Sequence, residues 1–119
     1  MTVSHQDPSF DGCLLRIFIG ESDKYEGGSL CRWIVQQART QGLAGATVLR
    51  GVIGYGAHSR IHTASIMRFS DDLPLVIEIV DTRENVEVFM RSIEHAIVEG
   101  LATMEKAEVW FYGSRGQPT

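Results

Sequence analysis

Residues 46–80, ATVLRGVIGYGAHSRIHTASIMRFSDDLPLVIEIV, hold two strand-like runs joined by a long, glycine-opened connection. In the first run, Ala46 to Ile53, Val48, Arg50 and Val52 alternate with Thr47, Leu49 and Ile53, the period of a strand with two different faces. The second, Leu75 to Val80, is almost wholly apolar and follows Pro74, whose missing N–H is tolerated at a strand start. Such neighbouring strands are ordinarily joined by 2 to 5 residues, yet Gly54 to Pro74 spans about 20. A connection of that length in a small domain is a binding loop or a linker, and Ile61, Ile66, Met67 and Phe69 give this one apolar groups a linker would lack.

Nearer the start of the chain, Cys13 to Ile19 is a short apolar run between Gly12 and Gly20, as expected of a buried central strand. Ser29 is placed to cap a helix over residues 30–41, in which Leu30, Ile34, Val35 and Ala38 form one stripe, and Gly42 suits the left-handed position that ends it. After the Leu75–Val80 strand, Asp81 with Glu84 three residues on predicts the start of a second helix. Its apolar face reads Val86, Phe89, Met90, Ile93, Ile97 and Leu101, with an end near Gly100 and acids on the outer side. Lys106 to Tyr112 closes the domain as a strand. The order βαββαβ predicts an α+β, ferredoxin-like sandwich: one antiparallel sheet with both helices on one face. Residues 1–12 read as a disordered tail, 13–112 as the domain and 113–119 as a flexible tail.

The chain has 119 residues, 44% hydrophobic and 22% charged, which suits one domain. No stretch is apolar enough to span a bilayer and no signal peptide opens it, so a cytoplasmic protein is expected. Its net charge of −4 is unevenly distributed: residues 1–26 carry −3, residues 27–70 carry +5 with no acid at all, and residues 71–119 carry −6. Arg32, Arg39, Arg50, Arg60 and Arg68 supply the positive segment. It can hold an anion in arginine forks or pair with acids of the same fold. Nucleic acid is not an expected partner, because neither helix has a basic recognition face.

Gly51-Val-Ile-Gly-Tyr-Gly56 is not the dinucleotide fingerprint, since its spacing is reversed and no helix follows. Two readings stay open. Gly51 can be a bend in a twisted strand, with Gly54 and Gly56 supplying positive φ at the loop entrance. Alternatively, the glycines frame a binding site in which Tyr55 offers a stacking face and His58 and Arg60 bring donors. His58 and His62 are spaced as a metal pair but lack a third ligand, and no metal site is expected. Cys31 at a helix start reads as a small buried apolar residue, for no histidine or aspartate pairs with it by a recognisable motif. No catalytic constellation emerges.

Several segments together resemble the PII-type signalling proteins, and among them the PII-like family called domain of unknown function 190. They are Gly20-Glu21-Ser22-Asp23-Lys24-Tyr25-Glu26-Gly27 followed by Leu30, then Gly42-Leu-Ala-Gly-Ala-Thr-Val48, Arg50-Gly-Val-Ile-Gly-Tyr-Gly56 and Asp72-Leu-Pro-Leu-Val-Ile-Glu-Ile-Val-Asp81. Ser29 stands where the family more often has proline. The resemblance covers about Leu14 to Tyr112. It implies a homotrimer with ligand sites in clefts between subunits, and makes the long connection between the second and third strands a T-loop, which a nucleotide orders for docking on a membrane transporter or an enzyme. The small anionic ligand it implies is an adenine nucleotide such as AMP, acting as an effector rather than a required cofactor. By position Lys24, Gly51, Gly54, Tyr55, Gly56, His58 and Arg60 form the expected site. Readings from other classes are a small metal-binding protein or enzyme on the same fold, and a ligand-free trimeric scaffold.

Overall fold

The structure is a computed structural model and describes residues 9–55 and 72–113. Its elements are β1 (Phe10–Gly20), β2 (Lys24–Tyr25), β3 (Gly28–Ser29), α1 (Leu30–Thr40), β4 (Thr47–Arg50), β5 (Pro74–Asp81), α2 (Arg83–Ile93) and β6 (Leu101–Val109). The main sheet has the order β4-β5-β1-β6, with every neighbouring pair antiparallel. β2 and β3 form a separate small ribbon whose turn residues Glu26 and Gly27 have φ of 50° and 84°. Positive φ at both central residues is what a two-residue hairpin turn of matching twist requires. With this ribbon added, the fold is the expected ferredoxin-like α+β sandwich.

Alternation along the two central strands decides where the core lies. Leu15, Ile17 and Ile19 of β1 and Leu75, Ile77 and Ile79 of β5 are buried against Leu30, Ile34 and Ala38 of α1 and Val86, Phe89 and Ile93 of α2. Each fully buried side chain of this size contributes about 1.5–3 kcal/mol relative to exposure. On the opposite face Arg16 donates to Glu78 at 3.0 Å and to Glu105 at 2.6 Å, bridging β5 and β6 through β1. These two hydrogen bonds hold the Arg16 guanidinium charged still more firmly than usual.

α1 begins and ends as its sequence predicts. The Ser29 hydroxyl accepts the Arg32 amide at 3.2 Å. Gly42, at φ 78°, donates to Arg39 O, and Leu43 donates to Ala38 O, the paired bonds of a Schellman end. α2 starts one residue later than predicted, with Thr82 as its cap accepting from the Asn85 amide. Asp81 ends β5 on the helix side of the sheet, so its carboxylate is buried at 7% exposure. It accepts from the amides of Thr82 and Ala44 and from Asn85 Nδ2, joining the start of α2 to the connection before β4.

Four other boundaries differ from expectation, each because of a long-range contact. β1 starts at Phe10, inside the expected tail, because Phe10 is buried and meets Tyr112 edge to face at 6.5 Å. α2 stops at Ile93, passes through a 3-10 turn over Glu94–Ala96, and does not reach Gly100. A β-carbon on Gly100 would lie 2.8 Å from Phe18 O, so the backbone approaches β1 closely there, and Leu101 pairs with Phe18 in a strand. β6 therefore runs over residues 101–109 instead of 106–112, leaving Trp110 to Tyr112 beyond it. β4 ends at Arg50 instead of Ile53. Among the described residues, no helix is long and apolar enough to cross a membrane.

Candidate functional site

The antiparallel order brings four strand ends to one end of the sheet: Arg50 of β4, Pro74 of β5, Gly20 of β1 and Leu101 of β6. Both roots of the long connection therefore lie beside the loop that follows β1. The Gly51 amide donates to Pro74 O at 2.7 Å. A β-carbon on Gly51 would stand 2.7 Å from Pro74 Cγ, and one on Gly54 3.1 Å from the same atom. A side chain at Gly51 would therefore force the proline ring to shift, and one at Gly54 would press against the same ring. The expected positive φ at Gly54 is not found, since the only positive-φ glycines among the described residues are Gly27 and Gly42. Close approach, rather than a left-handed backbone, selects glycine here.

The loop after β1 is held from both sides. Asp23 Oδ2 accepts the Gly20 amide at 2.9 Å, and the Asp23 carbonyl accepts the Leu30 amide at 3.0 Å. The Glu21 amide donates to Leu73 O at 2.8 Å, and the Ser22 amide donates to Asp72 Oδ1 at 2.8 Å. Asp72 is held at φ 27°, an uncommon backbone for a residue with a side chain. Across this junction Arg50 Nη2 meets Glu21 Oε1 at 3.1 Å. The two side chains are 56% and 39% exposed, and a pair so open to water is worth about 0–1 kcal/mol. On the β6 side, Asp23, Lys24, Leu30, Ala96, Val98 and Glu99 line a pocket of about 180 Å³.

Of the residues expected to bind ligand, Lys24, Gly51, Gly54 and Tyr55 all lie at this end of the sheet. Tyr55 is 81% exposed and free to offer a ring face. Gly56, His58 and Arg60 lie outside the described residues, as do His62 and Arg68. The positive segment does not form a cationic patch where it can be followed. Arg32 and Arg39 lie on α1, while Arg50 is paired with an acid 29 positions earlier in the chain. Glu21, Asp23, Asp72 and Glu99 all belong to the same end, although Asp23 and Asp72 each use an oxygen on a backbone amide. Charge segregated along the chain is mixed in space.

Three features of this end carry little sequence signal. Arg50 and Glu21 are too far apart for their pairing to be read. Asp72 opens one of the segments shared with the family, but nothing in that segment signals its bond to the Ser22 amide. Tyr25, Trp33 and His95 form an aromatic cluster that ties the β2–β3 ribbon to α1 and the 3-10 turn. The Tyr25 and Trp33 rings lie 4.4 Å apart, and Tyr25 Oη and His95 Nε2 share a hydrogen bond at 3.1 Å. Only the i, i+3 spacing of Leu30 and Trp33 hinted that Trp33 faces inward. Burial pushes the Cys31 thiol up, against a smaller downward pull from Arg32, and burial likewise raises Cys13 against Arg83. Neither is an activated nucleophile. Among the described residues no three His, Cys, Asp or Glu side chains converge on a metal position.

Residues 12–109 match the family DUF190, described as Uncharacterized ACR. A UPF0166 protein of Aquifex aeolicus is 36% identical over 81% of this chain and 90% of its own length. A UPF0166 protein of Methanocaldococcus jannaschii is 38% identical over 61% of this chain and 67% of its own. Among solved structures, CPII of Thiomonas intermedia K12, described as a nitrogen regulatory PII-like protein bound to ADP, AMP and bicarbonate, superposes with a TM-score of 0.58. The match has 16% identity and covers 86% of this chain and 91% of that one. At that identity the likeness is one of fold.

Proposed function

The chain belongs to the DUF190 family, and from that premise we propose that it is a PII-like regulatory protein: a homotrimer that binds an adenine nucleotide such as AMP between subunits and reports it through the 54–74 connection. The observation that carries this reading is that both roots of that connection, Arg50 and the open ring of Tyr55 lie at one end of the sheet, with Lys24 at the same end on its β6 side. Arg50 and Lys24 supply cationic donors, and Tyr55 a face on which a purine stacks. His58 and Arg60 extend the same proposal along the connection.

The size of the pocket beside Lys24 favours a shared site. At about 180 Å³ it is smaller than the ~300–1,000 Å³ clefts that enclose ligands of nucleotide size. A second chain closing over it supplies the missing wall. The face of the sheet turned away from the helices supports the assembly. By strand register Leu14, Phe18, Val76, Val80, Leu49 and Leu101 share that face around the Arg16 ion pairs, and Val80, Leu49 and Leu101 are exposed in the single chain. Exposed apolar groups gathered on one face are what an assembly of this kind would bury.

The partner in this reading is a membrane transporter or an enzyme contacted by the 54–74 connection. Sedimentation of the ligand-free protein tests the assembly, for which a species of three chains is expected and a monomer at micromolar concentration would count against it. Thermal shifts with AMP, ADP, ATP and cyclic AMP test the ligand. A rise in melting temperature with at least one adenine nucleotide is expected, because a ligand at 100 times its Kd adds about 2.7 kcal/mol to the native state.

A further inference from the structure

We propose that Arg50 is the anchor for the ligand's anionic group and that Glu21 is a built-in competitor for it, so that ligand binds by displacing the Glu21 carboxylate. This rests on the nucleotide reading above and adds the regulation of that site. Arg50 is the last residue of β4, at the root of the connection, and its guanidinium is half exposed while paired with Glu21 at 3.1 Å. Glu21 reaches it from the loop after β1, whose backbone is fixed by Glu21 N to Leu73 O and Ser22 N to Asp72 Oδ1. The carboxylate is therefore tethered: its side chain can rotate away while its main chain stays bonded. An intramolecular carboxylate presented in this way has a high local concentration at Arg50, and an incoming anion must outcompete it.

The pair is suited to exchange because it is open to water and therefore weak. A phosphate monoester is well matched to take its place, since it carries close to two charges at neutral pH and accepts two parallel bonds from a guanidinium. The apparent affinity is then the intrinsic one reduced by the fraction of molecules in which Arg50 is open. For an exposed pair of ordinary strength that reduction is about two- to sixfold. Neighbouring acids do not share this role. Asp23 and Asp72 each give an oxygen to a backbone amide, and Glu26 follows in the β2–β3 turn without a contact to Arg50.

The test is calorimetric titration of the full chain with AMP and, separately, with inorganic phosphate, comparing wild type, Glu21→Gln, Glu26→Gln, Arg50→Gln and the Glu21→Gln/Arg50→Gln pair. Glu21→Gln should tighten binding about two- to sixfold, Glu26→Gln should leave it within error, and Arg50→Gln should weaken it at least tenfold. The double variant should match Arg50→Gln, since a competitor has no effect once its target is gone. Unchanged or weaker binding in Glu21→Gln, or equal tightening in Glu26→Gln, overturns the competitor while leaving the nucleotide reading intact. Wild-type binding of phosphate but not AMP removes the nucleotide reading, and the phosphate series still decides the competitor. Binding of neither removes both.

Discussion

Gly51 and Pro74 are locked together: the Gly51 amide bonds the Pro74 carbonyl at 2.7 Å while the proline ring fills the space a side chain on Gly51 would need. This contact ends β4 and sets where both roots of the 54–74 connection leave the sheet. Gly51→Ala forces a methyl to within 2.7 Å of Pro74 Cγ. The expected cost is about 1–3 kcal/mol, as for other over-packed sites. Gly54→Ala, with a 3.1 Å approach to the same atom, should cost less. Urea denaturation of both variants checks the order, and Pro74→Ala should recover part of the Gly51→Ala loss. Equal stability of Gly51→Ala and wild type would contradict the packing.

Asp81 is the joint between α2 and the connection ahead of β4. Asp81→Ala removes an acceptor from three donors, two of them main-chain amides. A loss of about 2–4 kcal/mol is expected, since each buried donor left unpaired is costly. Asp81→Asn should fall between, because its carbonyl oxygen still serves the donors on one side while its amide faces the other. Denaturant midpoints of the three proteins provide the measurement.

The sandwich was legible because its local rules agree with its global ones. Ser29 and Gly42 bracket α1 where cap chemistry says they should, and the apolar run Leu75 to Val80 forms the strand expected of it, with alternate residues buried. Errors arose where a distant partner overrode the local pattern. Leu101 continues the helical spacing of Ile93 and Ile97, yet pairing with Phe18 draws it into β6. Phe10 sits in a polar stretch and is ordered by Tyr112. How this end of the sheet is built was half legible for the same reason. Lys24, Gly51, Gly54 and Tyr55 stood out by type and spacing, whereas the reason for the glycines is a proline 23 positions from Gly51, and the acid facing Arg50 comes from another loop. A chain scan for charge cannot see either contact.

Both thiols have pKa values raised chiefly by burial. Cys31, partly exposed, should react with a neutral disulfide reagent more slowly than free cysteine at pH 7, its rate climbing only as pH passes above the ordinary cysteine range. Cys13, buried in the core, should react only as fast as the protein unfolds. A raised folded-state pKa means that the thiols favour the native state fully below the ordinary cysteine pKa, and that this contribution falls as pH rises through the raised values. Stability should accordingly decline at alkaline pH, and Cys13→Ser/Cys31→Ser should flatten that part of the curve. Rapid modification of Cys31 at pH 7 would show an activated thiol instead.

Tyr55 separates recognition of the base from recognition of the phosphate. With 81% of its surface open, the ring contributes little to the fold of the single chain. Tyr55→Ala should weaken AMP binding about tenfold, within the 1–3 kcal/mol typical of one stacked base, and leave inorganic phosphate binding unchanged. Tyr55→Phe should keep AMP affinity. Equal losses for AMP and phosphate would place the ring elsewhere than on the purine.

Whether this end of the sheet binds an adenine nucleotide is decided by isothermal titration of AMP into the purified full chain. Saturable heat approaching one nucleotide per chain is expected, with affinity at least tenfold weaker in Arg50→Gln and about tenfold weaker in Tyr55→Ala. No heat and no change in melting temperature at millimolar AMP, ADP and ATP would contradict it.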